Sequence, residues 1–240
     1  MRVDILGVNI DNLTLTESIA RIARALEADE FLRVITANPE MVFQASQDAR
    51  LRQLINTAGL VTPDGIGVVW AAARLQTPLP ERVTGIDLLE GLFPVANQGK
   101  WRVFFLGGQP GVAEMAALKV AWDKNGLVWQ ARHGYFSQAE EAEVVRQIKE
   151  FRPQLLLAGL GSPRQEYWLA EHPGLAVVSI GVGGSFDALA GVVKRAPKWM
   201  QDSHLEWLYR LVREPRRLRR QLVLPRFVLK VLTQAQRNHT

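Results

Sequence analysis

The stretch LVTPDGIGVVWAA, residues 60–72, places one carboxylate, Asp64, between a proline and a glycine, where one apolar run ends and another begins. A carboxylate presented from a tight turn can take a proton from a substrate hydroxyl. Pro, Asp and Gly also build turns for backbone reasons alone, and the local sequence by itself favours that simpler role. Other groups with chemical potential recur at similar junctions: Thr36 and Asn38 in TANPE, Ser162 and Gln165 in GSPRQE, Gly183, Gly184 and Asp187 in GVGGSFD. Asn38 followed by Pro39 has the form of a helix N-cap with proline at the first helical position, and Ser162 with Gln165 has capping-box spacing. Helix N-termini that open where strands end present N–H groups to anions. Thr36, Asn38, Asp64, Gly107, Gly108, Ser162, Gln165, Gly183, Gly184 and Asp187 are therefore expected to line one cleft. Arg82 and Asp87, in ERVTGIDLL, fit equally a pocket charge and a helix entry with its cap.

The chain ends in different chemistry. Arg210, Arg213, Arg217 and Arg220 fall at three- and four-residue steps, spacing that allows a shared face despite Pro215. A departing diphosphate gathers negative charge that guanidinium groups and backbone donors can balance. The same arginines read as well as a solvated basic surface, or as attraction for anionic lipid, where each basic residue contributes about 1 kcal/mol. No Asp-x-Asp pair is available to hold a divalent ion on a nucleotide diphosphate, and His133, His172, His204 and His239 lack zinc spacing. The expectation is a reaction that needs no metal and no cofactor. GGQPG at 107–111 and GVGG at 181–184 are incomplete as dinucleotide fingerprints, and there is no Walker P-loop.

These groups need a scaffold. Strand-length apolar runs, each closed by Gly, Pro or Asn and followed by a helical period, recur in FLRVITANPEMVFQAS, WRVFFLGGQPGVAEMAAL, QLLLAGLGSPRQEYWLAEH and LAVVSIGVGGSFDALAG. That rhythm predicts an α/β, Rossmann-like architecture: a mostly parallel sheet covered by helices, its ligand crevice at the strand carboxyl ends. DILGVNIDNLT at the start reads as a short hairpin or edge strand. At 240 residues with 48% hydrophobic content the chain can bury one sizeable core. It has no cysteine, which fits a reducing cytoplasm. Its charge divides unevenly: residues 195–240 hold eleven Lys or Arg against three Asp or Glu, and residues 1–194 hold 18 against 21. The expected organisation is a catalytic core over 1–195 and a basic helical appendage over 196–240, broken at Pro215 and Pro225, with Leu205, Leu208, Leu211, Leu218 and Leu222 at helical intervals. The first residues lack the apolar run of a signal peptide, and no stretch approaches the roughly 20 apolar residues of a spanning helix.

TANPEMV, TPDGIGVVWAA with ERVTGIDLL, FFLGG, GLGSPRQEYW, GVGGSFDALAGVVKRAPKWM and LEWLYRLVREPRRLRRQLVLPRF together resemble, in order and over nearly the whole chain, the WecG/TagA/CpsF glycosyltransferase family. The resemblance implies an inverting, metal-independent transfer of a sugar from a UDP-sugar donor to an undecaprenyl-diphosphate-linked acceptor, in teichoic acid, enterobacterial common antigen or exopolysaccharide synthesis. N-acetylmannosamine is the first expectation for the sugar. It further implies that Asp64 is the base, that Thr36, Asn38, Arg82 and Gln165 line the pocket, and that Arg210, Arg217 and Arg220 reach the diphosphate. Gly183, Gly184 and Asp187 would form part of the nucleotide edge.

Two partners besides the substrates follow as expectations: an anionic membrane surface met by the appendage, at the inner face of the cytoplasmic membrane, and a second copy of the chain. Nucleic acid is not expected, because Trp199, Trp207, Tyr209 and Phe227 occupy core-like helical positions and form no evident stacking platform. A nicotinamide-dependent oxidoreductase would share the sheet but needs the missing glycine fingerprint with an acidic residue about 20 positions on.

Overall fold

The structure, a computed structural model, describes residues 1–123, 127–202, 206–213 and 222–237. Its centre is a six-stranded parallel sheet of β3 (Leu32–Ala37), β4 (Leu60–Pro63), β5 (Arg102–Gly107), β6 (Val128–Arg132), β7 (Leu155–Gly159) and β8 (Val178–Gly181), in the order β4-β3-β8-β7-β5-β6. Strands β4 and β8 are buried at every position, as expected for parallel strands covered on both faces. The α/β architecture predicted from the strand and helix rhythm is the one observed. The opening hairpin also forms: β1 (Arg2–Ile5) and β2 (Val8–Asp11) pair antiparallel around Leu6 and Gly7, both at positive φ.

Local signals set the helices α1 (Leu15–Glu27), α2 (Pro39–Ala45), α3 (Ala49–Asn56), α4 (Ile66–Arg74), α5 (Gly85–Gln98), α6 (Val112–Asp123), α7 (Gln138–Phe151), α8 (Arg164–Glu171) and α9 (Ser185–Leu189). Thr14 with Glu17 closes a capping box on α1, and Asn38 caps α2 through the Met41 N–H at 2.9 Å, with Pro39 in the first turn as predicted. The capping box expected at Ser162 does not form. Helix α8 starts at Arg164 behind Pro163 with no side-chain cap: the Gln165 N–H donates to the Gly161 carbonyl at 2.9 Å instead of to the Ser162 hydroxyl, and the Gln165 side chain is drawn away to Glu166 and to the Gly183 N–H.

The C-terminal segment contributes helices Lys198–Asp202, Glu206–Arg213 and Leu224–Arg237. Pro225 does not interrupt the last of these; it lies in its first turn, where the missing N–H costs nothing. Phe227, Val231 and Ala235 from this helix are buried in a core shared with β1, β2, α2, α3 and α4. The opposite sheet face packs against α1, α5, α6 and α9 around Phe93, Phe105 and Phe186. Not all the expected apolar positions of the segment pack. Leu208 and Leu222 are exposed, as are Trp199 and Trp207, so of the four aromatics expected at core positions only Phe227 is in the core, with Tyr209 half-buried. Leu205 and Leu218 lie outside the described residues.

Candidate active site

The turns that follow the strand carboxyl ends converge on a polar cavity of about 580 Å³. Its wall includes Thr36, Asn38, Asp64, Gly108, Ser162, Gln165, Gly183, Gly184 and Asp187, nine of the ten positions expected on one cleft. The tenth, Gly107, is packed away: a Cβ there would lie 2.4 Å from the Gly159 carbonyl oxygen, so its place is the seam between β5 and β7.

Asp64 is held by its backbone. Its N–H donates to the Ala37 carbonyl at 2.8 Å, pinning the turn to the end of β3. Gly65 adopts φ +124°, which a side chain would strain, and a Cβ on Gly67 would come within 2.7 Å of the Pro39 ring. The two glycines of PDGIG therefore let the Asp64 turn nest against the first turn of α2. Two adjacent strand ends thereby bring Asn38 and Asp64 to one rim.

The polar neighbours divide their bonding capacity. Thr36 is buried and its hydroxyl donates to the Gly181 carbonyl at 2.9 Å, tying β3 to β8 and leaving the oxygen as an acceptor. Asn38 spends its carbonyl oxygen on the α2 cap, so the amide nitrogen is what it can offer the cavity. Gln165 uses both ends: Nε2 donates to Glu166 Oε1 at 2.8 Å, and Oε1 accepts from the Gly183 N–H at 3.1 Å, which fixes the β8 turn. Beneath it Glu166 is almost wholly buried. Burial pushes its carboxyl up to about 7, against the opposing pull of the Gln165 amide, its own backbone N–H and the neighbouring Ser162 hydroxyl. Glu166 Oε2 and Ser162 Oγ lie buried without a well-formed hydrogen bond.

A second, more apolar cavity of about 520 Å³ adjoins the first. Asn38, Asp64 and Ser185 belong to the walls of both. Trp70 and Gly65–Gly67 line one side of the second cavity, and Trp207, Leu224, Phe227 and Val228 of the C-terminal segment line the other. Arg82 faces this second cavity and not the polar one, and its Nη1 donates to Glu206 Oε2 at 3.3 Å. The expected Asp87 cap is real: Thr84 Oγ1 accepts from the Asp87 N–H and donates to its carboxylate, which also holds Arg195 at 2.7 Å. Sequence reasoning missed Ser185, Trp70, Glu166 and Glu206; the small hydroxyl of GVGGSFD and the acid inside GSPRQE were the available signals. Arg210 belongs to helix Glu206–Arg213 with its side chain outside the described set, and Arg217 and Arg220 lie outside the described residues. Among the described residues no group of three or more His, Asp or Glu has an arrangement suited to a metal ion.

A family model described as the glycosyl transferase WecG/TagA/CpsF family matches residues 3–240. The chain belongs to this family. Among its relatives are proteins of Staphylococcus aureus strains MW2, NCTC 8325 / PS 47 and COL, each named N-acetylglucosaminyldiphosphoundecaprenol N-acetyl-beta-D-mannosaminyltransferase. Each is 36% identical over 234 residues, spanning 96% of this chain and 92% of the relative. The activity class is thus glycosyl transfer, and the paired cavities of this glycosyltransferase are to be understood in that light.

Proposed function

We propose that the chain transfers N-acetylmannosamine from its UDP-sugar to an undecaprenyl-diphosphate-linked N-acetylglucosamine, with inversion and without a required metal ion. The observation that carries the reading is the pair of cavities meeting at Asn38, Asp64 and Ser185. A polar chamber ringed by glycine turns and helix N-termini suits a nucleotide diphosphate. An apolar chamber walled by tryptophans suits an acceptor that arrives on a lipid. The names of the relatives supply the sugar and the acceptor.

In this mechanism Asp64 accepts the proton of the acceptor hydroxyl as that oxygen forms its bond to the anomeric carbon from the side opposite the nucleotide. The bond between that carbon and the diphosphate oxygen breaks, and its electron pair leaves with UDP. The guanidinium groups of Arg210, Arg217 and Arg220 balance the charge on the leaving diphosphate, with the Gly184 N–H beside them, since the Gly183 N–H is already held by Gln165. Arginine instead of a divalent ion in this role accords with the lack of an Asp-x-Asp pair in the sequence.

The location follows the acceptor. No helix among the described residues is long and apolar enough to cross a membrane. Trp199, Trp207, Leu208, Val212, Leu222 and Leu229 of the C-terminal segment are nevertheless all exposed, on the part of the chain that carries the basic excess. Apolar side chains among cations suit docking on an anionic leaflet.

Asp64→Asn tests the chemistry. Turnover with the UDP-sugar and a short-chain lipid-diphosphate acceptor should fall about 10²- to 10⁴-fold, with UDP affinity by calorimetry unchanged. Near-normal turnover in that variant removes Asp64 from the mechanism, and transfer abolished by EDTA and restored by magnesium removes the metal-free step.

A further inference from the structure

Glu206 lies at the start of helix Glu206–Arg213, 124 residues along the chain from Arg82, and is only 4% exposed. An acidic residue in a first helical turn ordinarily stays in solvent, where it offsets the partial charge of the helix N-terminus. This one is instead turned into the protein between two guanidinium groups. Arg82 Nη1 donates to its Oε2 at 3.3 Å, and Arg195 Nε stands 3.9 Å from its Oε1. Arg195 is itself anchored to the first two turns of α5, at 2.7 Å to Asp87 and 3.1 Å to Glu90. Burial works against its charge, but the three carboxylates prevail and lift the Arg195 pKa above its ordinary value. The charges meeting here are therefore Arg82 ahead of α5, Asp87 and Glu90 on α5, Arg195 beyond α9, and Glu206. The next residue, Trp207, is a wall of the apolar cavity.

We propose that Glu206 is the latch that docks helix Glu206–Arg213 on the catalytic face, its carboxylate gripped by Arg82 and Arg195, so that Trp207 closes the apolar cavity. Arg82 then serves first as a positioning residue: it selects the docked arrangement of the segment that carries position 210. Removing a cation from a buried carboxylate costs far more than breaking an exposed pair, so loss of either guanidinium group weakens the docking. The effect on acceptor use rests on the proposed function; the docking does not.

Amide hydrogen exchange on the full chain separates the two. Glu206→Gln and Arg82→Gln should each speed exchange across residues 206–213 about tenfold or more, while amides of β3, β7 and β8 keep wild-type protection and report that the core is folded. The double variant should exchange no faster than the Glu206→Gln single one, because Arg82 acts through the Glu206 carboxylate that this change already removes. Additive acceleration, or wild-type protection in Glu206→Gln, overturns the latch. In turnover, Glu206→Gln should raise KM for the lipid-linked acceptor about fivefold or more, and Glu206→Asp should recover part of the loss. An unchanged acceptor KM overturns the role in closing the cavity. Exchange behaving as expected in a chain that transfers from no UDP-sugar would keep the latch and sink the proposed function.

Discussion

Glu166 and Asp64 are two carboxylates under different constraints. Asp64 sits at the junction of both cavities, whereas Glu166 is walled in behind Gln165. Burial raises Glu166 from the ordinary 4.5 to about 7, so the native state holds a proton that the unfolded chain has lost over that interval. By linkage its contribution to stability is full below about pH 4.5 and declines as pH rises toward 7, by about 3 kcal/mol in all. Glu166→Gln should remove that decline: urea midpoints of variant and wild type should agree near pH 5, and the variant should be the more stable at pH 8. Equal pH dependence in the two proteins would show that Glu166 is ionised and paired in the native state. The Gln165 bonds to Glu166 and to the Gly183 turn give this titration a route to the floor of the polar cavity.

At the scale of elements, the last helix joins two functions that its sequence mixes. Its Phe227, Val231 and Ala235 complete the core against α2 and α4, and Lys230 reaches the Ser46 hydroxyl at 3.0 Å beyond α2. Its Leu224, Phe227 and Val228 are a wall of the apolar cavity. Phe227→Ala should therefore cost about 3–5 kcal/mol in urea unfolding, the range for a buried phenylalanine, and should enlarge the apolar cavity. A loss below about 1 kcal/mol would mean that the helix is a detachable cover. For the same reason, deleting everything after Pro197 would damage the core along with the site, and point substitutions are the cleaner probe of the segment.

Across the whole molecule, a charge division visible in composition coincides along the chain with a set of exposed apolar side chains. Residues 1–194 are slightly acidic in balance, residues 195–240 are strongly basic, and the exposed tryptophans and leucines of the C-terminal segment alternate in sequence with its cations. Replacing Leu208 and Val212 together by Glu should weaken binding to vesicles rich in anionic lipid about tenfold or more, with UDP affinity intact. Wild-type binding should also weaken as salt rises, since exposed charges are screened beyond about 10 Å at 0.1 M. Vesicle affinity indifferent to both changes would remove the C-terminal segment from the proposed membrane contact.

The sequence by itself determined the periodic pattern of strands and helices, the α2 cap at Asn38 and Pro39, and the set of turn residues gathered at the strand ends. Each of these depends on neighbours within a few positions or on a repeated solvent preference that composition records. What tertiary structure decided involves partners far apart in the chain. Gly107 leaves the cleft because β7 presses on it. Ser162 loses the Gln165 side-chain half of its expected capping box to the β8 turn, and Arg82 turns to a carboxylate 124 residues away. The apolar chamber exists only where α4 meets the last helix, and no local spacing encodes a wall shared by segments so distant. Burial and pairing belong to the assembled fold, and they, not residue type, set which of these groups face substrate and which hold the frame.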